Sequence, residues 1–410
     1  MRMNFAIVNL GCKVNRVESD AFASGLLARG CVETDEATAD VVVVNTCTVT
    51  GEAEKKTRKA VRHALRANPS SQVVVTGCAA AIDADAFLSM APERVQVAGK
   101  LQVDDVLDRL VGPFDHSSRA LAVGEGFHTR VGVKVQDGCN NACTYCIVHV
   151  ARGTAYSRPA HEVLAECEAL AKTGVREIVL TGINLGSYCC SSSEGADVAL
   201  DGLLRMLLER TADIHAPEEH PCRFRISSTE PCDVSDSLIQ LIAHADGRIC
   251  RHLHLPLQSG CTKVLTEMNR PYTAEQFVKL VDKLYDAMPQ LSLSTDIICG
   301  FPGETDAEFE ETLRVAQRCR FSRIHVFPYS QREGTPAAQR EDQVPHEVRA
   351  ARAAKLRALA KQLRQEDLQR RADTAEFALV EENGTAMTES YHELVAPVRA
   401  KAGALIEVRL

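Results

Sequence analysis

Residues 139–146 read Cys-Asn-Asn-Ala-Cys-Thr-Tyr-Cys, and this stretch directly follows a run of residues typical of a buried strand, 131–136. Three thiolates so close together can bind three corners of one iron–sulfur cube and leave the fourth iron without a protein ligand. The spacing differs from the paired CxxC motifs of zinc sites, and no second pair lies nearby. A fourth cysteine of the ferredoxin kind is also absent from the motif. The stretch therefore predicts an iron–sulfur site with one open coordination position.

Around the cysteine stretch the sequence alternates predicted strands with predicted helices. The predicted strands are 131–136, 177–181, 223–227, 252–257, 293–298 and 323–327. The predicted helices include 161–172, 235–244, 274–288 and 306–320. Six such strand–helix units predict an incomplete TIM-like barrel, in which the chemistry lies on the loops that follow the strands.

The first hundred residues have a similar alternation, typical of an open α/β sheet. Strands are predicted at 5–10, 41–44, 72–76 and 94–98, and Cys12, Cys47 and Cys78 follow the first three of them. Ligands of such sheets bind at the carboxyl ends of the strands. Neighbouring strands lie about 4.8 Å apart, so we expect the three thiols to lie together and to suit a second cluster. The residues alone leave ordinary buried cysteines as an alternative.

Four segments are predicted along the chain. They are an N-terminal α/β domain at 1–112, a barrel domain at 125–345, a connecting helix at 346–372 and a short β module at 373–410. A stretch with Gly, Pro and Ser at 111–118 is a predicted linker. In the last segment, Asn383-Gly384 is a predicted turn between short strands.

Composition indicates a folded protein of the cytoplasm. The 47 Lys and Arg against 55 Asp and Glu give a net charge of −8, so the chain as a whole does not attract nucleic acid. We find neither a secretory signal nor an apolar run of about 18 residues, and we predict no membrane association. Sixteen cysteines in such a chain indicate metal binding or chemistry rather than disulfides.

The motif CxxxCxxC, with Tyr145 before its last cysteine, resembles the radical S-adenosylmethionine superfamily. The resemblance implies that the open iron binds the amino and carboxylate groups of S-adenosylmethionine, and that an electron from the cluster cleaves it to a 5′-deoxyadenosyl radical. It further implies that the cofactor is contacted by residues at the strand ends and in the cysteine loop. These residues are Tyr145, Gly182, Ser228, Asp296 and Gly300.

The combination with the N-terminal cysteines resembles the methylthiotransferases, which join such a domain to a radical barrel and a C-terminal β module similar to a TRAM domain. The resemblance implies two [4Fe–4S] clusters, one for the radical and one for the sulfur. Their predicted ligands are Cys139, Cys143 and Cys146 for the first, and Cys12, Cys47 and Cys78 for the second. No catalytic residue beyond these ligands is predicted. The other ten cysteines are expected to be structural.

Several segments resemble the methylthiotransferase branch that acts on N6-threonylcarbamoyladenosine beside the anticodon of tRNA. They are Leu-Gly-Cys-Lys-Val-Asn at 10–15, Asn-Thr-Cys-Thr-Val-Thr at 45–50, Thr-Gly-Ile-Asn-Leu-Gly-Ser-Tyr at 181–188 and Arg-Ile-Ser-Ser-Thr-Glu-Pro at 225–231. His149 and Tyr156 depart from the pattern. The branch implies tRNA as substrate and an electron donor such as a flavodoxin or ferredoxin.

Three alternatives stay open. They are methylthiolation of isopentenyladenosine in tRNA, a non-catalytic iron–sulfur protein that binds RNA or transfers electrons, and a zinc-binding module.

Two predicted helices concentrate positive charge. Residues 51–66 contain six Lys and Arg against two acids, and residues 346–371 contain eight against three. They are candidates for contact with RNA phosphates because the rest of the chain is acidic. The module at 373–410 has three Lys and Arg against seven acids, so we predict that it contributes packing rather than phosphate affinity.

Overall fold

A computed structural model describes residues 2–48, 51–113, 129–191, 197–217 and 219–410. The chain forms two compact units. Unit 1 takes its described residues from Met1–Val123, Gly138–Asn140 and Cys146–Thr154, and unit 2 takes its own from the remainder. Most of the predicted linker lies outside the described residues.

Unit 1 is built on a five-stranded parallel sheet of order β2-β1-β3-β4-β5. Its strands are β1 (Asn4–Asn9), β2 (Val32–Glu33), β3 (Val41–Thr46), β4 (Gln72–Gly77) and β5 (Val95–Val97). Strand β3 begins with four valines and is buried along its whole length, as expected for the centre of a parallel sheet covered on both faces. This confirms the predicted open α/β sheet; the short edge strand β2 was not predicted.

The helices of unit 1 cover both faces of that sheet. They are α1 (Lys13–Ala28), α2 (Gly51–Ala67), α3 (Cys78–Ile82), α4 (Ala84–Leu88) and α5 (Val103–Val111). A further short helix of unit 1, α6 (Val148–Arg152), contacts α3. Helix α2 buries Thr57, Val61 and Ala64, which are spaced by four and three residues and so share one helix face. Its other face carries the predicted cluster of positive charge.

Unit 2 contains six parallel strands in the order expected for a partial barrel. They are β6 (Arg130–Lys134), β9 (Glu177–Thr181), β12 (Arg223–Ile226), β13 (His252–His254), β14 (Ser292–Cys299) and β15 (Arg323–Pro328). Strands β6, β9 and β12 pair in one group, and β13, β14 and β15 in another. The parallel bridges Phe224–Ile249 and Ser228–His254 join the two groups. The predicted barrel is confirmed.

Strand β13 ends earlier than predicted. Pro256 has no N–H to donate, and the N–H of Leu257 donates to the side-chain hydroxyl of Thr295 instead of a strand carbonyl. Regular pairing is therefore interrupted after His254.

The remaining strands of unit 2 before the C-terminal module form two short antiparallel pairs. They are β7 (Gln136–Asp137) with β8 (Tyr156–Ser157), and β10 (Cys189–Ser191) with β11 (Asp197–Ala199).

Helices follow most of the barrel strands. They are α7 (Ala160–Lys172), α8 (Leu200–Arg210), α9 (Asp236–Ala243), α10 (Thr262–Glu267), α11 (Ala274–Ala287), α12 (Asp306–Arg318) and α13 (His346–Arg370). Capping boxes begin α11 at Thr273 and α12 at Thr305, which satisfies the first N–H groups of both helices. Among the described residues, no helix is both long and apolar enough to cross a membrane.

The C-terminal module is a four-stranded antiparallel sheet of order β18-β17-β16-β19. The strands are β16 (Ala375–Val380), β17 (Thr385–Thr388), β18 (Glu393–Val395) and β19 (Leu405–Arg409). The predicted Asn383-Gly384 turn joins β16 to β17, and Gly384 has φ of +80°, which a side chain would strain.

The module packs at the amino ends of the barrel strands. Arg223 and Arg225 of β12 donate hydrogen bonds to the main-chain carbonyls of Phe377 and Glu389 at 2.8 and 2.6 Å. Both guanidinium groups also bind Glu177 on β9, and all three side chains are buried. Burial alone would raise the pKa of Glu177, but the charges of the two arginines outweigh it and lower that pKa to about 2. These contacts pack the module against the barrel, as predicted; that it adds little affinity for phosphates stays a prediction.

Candidate functional site

Cys12, Cys47 and Cys78 lie at one edge of the sheet in unit 1. Cys12 is the residue before α1, Cys47 directly follows β3, and Cys78 opens α3 directly after β4. The main chain of Gly11 approaches Cys47 so closely that a Cβ at Gly11 would lie 2.9 Å from the Cys47 Sγ. Cys12 is also near enough to Cys78 to act on its pKa through charge. The sheet thus brings together three thiols that are far apart in sequence.

Asn15 and Asn45 hold this edge together. The Asn15 amide donates to the carbonyls of Leu10 and Thr46 at 3.0 and 2.9 Å. Asn45 donates to the carbonyl of Asn15 at 2.9 Å. Because these amides are buried and bond to both cysteine-bearing turns, they fix the main chain around Cys12 and Cys47.

Arg152, at the end of α6, contacts the same edge with a side chain that is 1% exposed. Its Nε lies 3.2 Å from the Cys78 Sγ, and its Nη2 donates to the Asn15 Oδ1 at 2.7 Å. It also forms an ion pair with Glu18, at 3.2 Å. Lys100 lies 3.8 Å from the same carboxylate. Arg152 and Lys100 therefore both place positive charge near Cys78.

Burial raises the pKa of the Cys78 thiol, while the charges of Arg152 and Lys100 act in the opposite direction. Iron binds the thiolate and not the thiol, so a cation beside a buried cysteine favours the form that can act as a ligand. The donor set and its electrostatic surroundings therefore fit a cluster held by three cysteines.

The second cysteine group lies on the loop between β7 and α6. In unit 1, Gly138 has φ of +71°, and a Cβ there would lie 2.0 Å from the carbonyl oxygen of Thr154, so only glycine fits. The Cys139 N–H donates to the Gly153 carbonyl at 3.1 Å, which closes the base of the loop. The Cys146 Sγ accepts a hydrogen bond from the Val148 N–H at 3.4 Å.

In unit 2, Cys143 is buried against Arg270. The Arg270 Nη1 lies 3.1 Å from the Cys143 Sγ, and the guanidinium also forms an ion pair with Glu230. The Arg270 Nε donates to the Tyr272 hydroxyl at 3.1 Å. Tyr145 packs against the apolar cluster that includes Phe301. Sequence reasoning missed Arg270, since a lone arginine in a loop carries no motif. The buried arginine beside a cysteine suits a bound anionic cluster here too.

The five residues predicted to contact S-adenosylmethionine all lie in unit 2. Besides Tyr145, Ser228 forms the bridge to His254 after β12. Gly182 and Gly300 have structural reasons to be glycine. A Cβ at Gly182 would lie 2.8 Å from the Gln136 Oε1, and one at Gly300, where φ is +71°, would lie 2.3 Å from the Arg349 Cγ. The assignment of these residues stays a prediction.

Asp296 lies in a polar cluster with His254 and His325, whose ligating atoms are all within 4.8 Å of one another. The three side chains come from β13, β14 and β15. The His254 Nε2 is 3.4 Å from the Asp296 Oδ1, and the His254 Nδ1 is 2.9 Å from the Ser294 hydroxyl. Sequence reasoning selected Asp296 and missed the histidines, although the strand register pairs Asp296 with His325.

The cysteines outside the two groups divide by burial. Seven are buried, while Cys189 and Cys232 are exposed and Cys190 is intermediate. Burial raises the pKa of Cys250 and of Cys319 to about 12, so both thiols are protonated at neutral pH. His149 of α6 is exposed.

The two basic helices differ in how their charges are used. In α13, Arg352 forms an ion pair with Glu304, Arg364 donates to the Tyr391 carbonyl, and Lys355 pairs with Glu310. In α2, Lys55, Lys59 and Arg62 are exposed and form no ion pair among the described residues. Arg357 and Lys361 of α13 are likewise exposed and form no ion pair among the described residues, so both helices remain candidates for contact with phosphates, and α2 has more such cations.

Comparison with known proteins identifies two family models. One, described as the radical SAM superfamily, matches residues 133–316. The other, described as uncharacterized protein family UPF0004, matches residues 4–99. The first match contains the cysteine loop, and the second contains Cys12, Cys47 and Cys78.

Curated relatives match most of the chain. The threonylcarbamoyladenosine tRNA methylthiotransferase MtaB of Bacillus subtilis is 38% identical over 88% of this chain and 81% of its own. The tRNA-2-methylthio-N(6)-dimethylallyladenosine synthase of Mycobacteroides abscessus is 34% identical over 89% of this chain and 75% of its own.

A solved structure, the radical S-adenosylmethionine methyltransferase TsrM from Kitasatospora setae with cobalamin and a [4Fe-4S] cluster bound, has a TM-score of 0.59 at 15% identity. The alignment covers 82% of this chain and 77% of that one. At this identity the likeness concerns the fold alone.

Proposed function

Because this chain belongs to the tRNA methylthiotransferase family of radical S-adenosylmethionine enzymes, we propose that it transfers a methylthio group to carbon 2 of N6-threonylcarbamoyladenosine beside the anticodon of tRNA. Its cofactors are a [4Fe–4S] cluster and S-adenosylmethionine. The observation that carries the proposal is the convergence of Cys12, Cys47 and Cys78 at one sheet edge in a chain that also has the CxxxCxxC loop.

We assign one cluster to each cysteine group. Cys139, Cys143 and Cys146 hold the cluster that faces S-adenosylmethionine, and Cys12, Cys47 and Cys78 hold the cluster that handles sulfur. When bound, the first cluster and S-adenosylmethionine supply the 5′-deoxyadenosyl radical that removes the hydrogen from carbon 2. No protein side chain is required as a general base for that step, because a hydrogen atom rather than a proton is removed.

The residues of the chain bind and orient the cofactors. Arg270 places positive charge against the Cys143 Sγ, where a cluster with three thiolates is anionic. For S-adenosylmethionine we propose contacts from Tyr145, Gly182, Ser228, Asp296 and Gly300. Asp296 accepts a hydrogen bond from a cofactor hydroxyl, and His254 orients that carboxylate from 3.4 Å away.

We propose that α2 binds the tRNA backbone through its exposed cations. It begins shortly after Cys47, so phosphates bound there would lie near the sulfur-handling site. The anticodon loop suits such an enzyme because its bases can be unstacked and turned outward. A flavodoxin or ferredoxin is the proposed electron donor, and the cytoplasm, where tRNA is modified, is the proposed location.

Nucleoside analysis of tRNA tests the proposal. A strain that lacks the gene is expected to lose 2-methylthio-N6-threonylcarbamoyladenosine and to retain the precursor without the methylthio group. Complementation with the intact gene restores the nucleoside, and complementation with the Cys12→Ala variant does not. Loss of the methylthio derivative of dimethylallyladenosine instead would assign the chain to the activity named for the Mycobacteroides relative. An unchanged nucleoside profile would contradict both activities.

A further inference from the structure

Arg152 has a position that cluster ligation alone does not require. It is the last residue of α6, six residues after Cys146 of the CxxxCxxC loop, and yet its guanidinium lies against Cys78 of the other cysteine group. Its side chain is 1% exposed. The desolvation of a guanidinium is costly, and only well-formed polar contacts offset it.

The guanidinium of Arg152 contacts both a cysteine sulfur and a side-chain amide. One nitrogen faces the Cys78 Sγ at 3.2 Å, and another donates to Asn15 at 2.7 Å. Asn15 in turn accepts a weak hydrogen bond from the Cys12 Sγ at 3.4 Å. One arginine therefore contacts Cys78 directly and Cys12 through a single amide.

Arg152 and Lys100 both approach the carboxylate of Glu18, at 3.2 and 3.8 Å. A [4Fe–4S]²⁺ core with three thiolate ligands carries a net −1, so the guanidinium beside the Cys78 Sγ offsets charge of that sign when the cluster is bound.

We propose that Arg152 is a positioning residue for the sulfur-handling cluster, holding Cys78 and Cys12 in place and compensating the charge of the bound cluster. This inference rests on the proposed function and adds a role for the helix that follows the radical-generating loop. An N–H donor and a positive charge beside the sulfur stabilise the reduced, more anionic state, so Arg152 also raises the reduction potential of that cluster.

The test uses the full chain with Cys139, Cys143 and Cys146 changed to alanine, so that every iron signal comes from the sulfur-handling cluster. Arg152→Gln and Arg152→Lys are introduced into this background. Iron and sulfide are counted after anaerobic reconstitution, and the midpoint potential is measured by redox titration followed by electron paramagnetic resonance.

Arg152→Gln is expected either to lose at least half of the bound iron or to shift the midpoint potential to a more negative value. Arg152→Lys keeps the charge but loses the forked donors, so an intermediate shift is expected. If both variants keep the iron content and the potential of the parent, the proposal is wrong.

Arg29→Gln is the matched control. Arg29 is in the same unit, is also 1% exposed and pairs with Asp108 at 2.5 Å. It lies at the C-terminal end of α1, whereas Cys12 lies at the N-terminal end of that helix. The variant is expected to lower thermal stability without changing the potential. A shift in Arg29→Gln equal to that in Arg152→Gln would reduce Arg152 to a structural residue and overturn the proposal. Should Arg152→Gln fail to fold, Arg152→Lys decides.

The outcome is independent of the tRNA assay. A chain without methylthiotransferase activity whose cluster potential responds to Arg152 would refute the proposed function alone. An active chain whose potential ignores Arg152 would refute only this inference.

Discussion

The sheet edge of unit 1 and the cysteine loop both place cysteines that we propose as cluster ligands, but by different means. At the sheet edge, three strands bring together cysteines from three distant parts of the chain, and Arg152 with Glu18 faces Cys78. In the loop, the cysteines are close in sequence, and Arg270 with Glu230 faces Cys143. In both, a buried arginine joins a buried cysteine to a carboxylate. The shared feature is thus the electrostatic surroundings, not the source of the ligands.

Removing each cysteine group separately gives the largest expected effects and tests whether the two sites have different tasks. Alanine at Cys139, Cys143 and Cys146 is expected to abolish both 5′-deoxyadenosine formation and methylthiolation. Alanine at Cys12, Cys47 and Cys78 is expected to abolish methylthiolation while S-adenosylmethionine is still cleaved. Chromatography of the two products measures this, and each variant should retain half of the iron. Loss of cleavage in both variants would contradict the division of labour.

Arg270→Gln tests whether the arginine matters as much in the loop as we infer for the sheet edge. The change removes the cation beside Cys143 and leaves Glu230 buried without its partner, which costs about 3–5 kcal/mol of folding free energy. Burial already raises the pKa of Glu230, so the carboxyl is expected to become protonated. We expect 5′-deoxyadenosine formation to fall about 10–100-fold, equivalent to about 1.4–2.7 kcal/mol.

The double variant Arg270→Gln with Glu230→Gln is the control for stability. It removes both charges and is expected to recover part of the melting temperature but not the rate of S-adenosylmethionine cleavage. Recovery of both quantities would mean that Arg270 acts only through folding.

Acid is expected to lower the folding stability of unit 2 through two of its buried carboxylates. Unit 2 contains Glu177, with a pKa of about 2, and Asp367, whose pKa the contacts with His392 and Arg371 lower to about 2 against the opposing effect of burial. Because both folded-state values lie below the unfolded ones, their stabilisation is present above about pH 4.5 and is lost as the pH falls toward 2.

Glu177 contributes about 3 kcal/mol and Asp367 about 2 kcal/mol that disappear as the pH falls toward 2. Hydrogen exchange between pH 5 and pH 3 should show protection in β9 and β12 decreasing, and in the Glu177→Gln variant that decrease should be smaller. Equal pH dependence in the variant and the parent would contradict the assignment.

The smallest expected effect concerns α2, next to the sheet-edge site. Changing Lys59 or Arg62 to alanine is expected to weaken tRNA binding several-fold and to reduce the slope of log K against log salt by about 0.7–0.9 for each phosphate that the variant no longer binds. The matched control is Lys355→Ala in α13, because the charge of Lys355 is already paired with Glu310. Fluorescence anisotropy with labelled tRNA measures both, and equal slopes for all variants would remove α2 from the interface.

The sequence predicted the barrel and the open sheet because both depend on local patterns. It selected one cysteine group by its motif and the other because each of its cysteines follows a predicted strand. Short valine-rich runs mark buried parallel strands, and CxxxCxxC is a linear motif. The arginines were not predicted, because Arg152 lies 74 residues from Cys78 and Arg270 lies 127 residues from Cys143. Nothing in the local sequence distinguishes them from surface arginines.

The use of charge on the helices was equally hidden from the sequence. Counting cations selected both α2 and α13, but the partners of Arg352 and Arg364 come from other elements of the barrel and from the C-terminal module. A net charge describes a segment, and only tertiary contacts decide how much of that charge remains for a ligand.

Arg223 and Arg225 bind main-chain carbonyls of the C-terminal module, and this choice of acceptor has a consequence for engineering. Any amino acid supplies a carbonyl, so these hydrogen bonds depend on the backbone path of the module and not on its side chains, although the buried Glu389 carboxylate separately pairs with Arg251. Without the module, two guanidinium groups at the amino ends of the barrel strands would lose these acceptors. A minimal catalytic fragment therefore calls for replacing Glu177, Arg223 and Arg225 together with apolar residues, rather than for simply cutting the chain after α13.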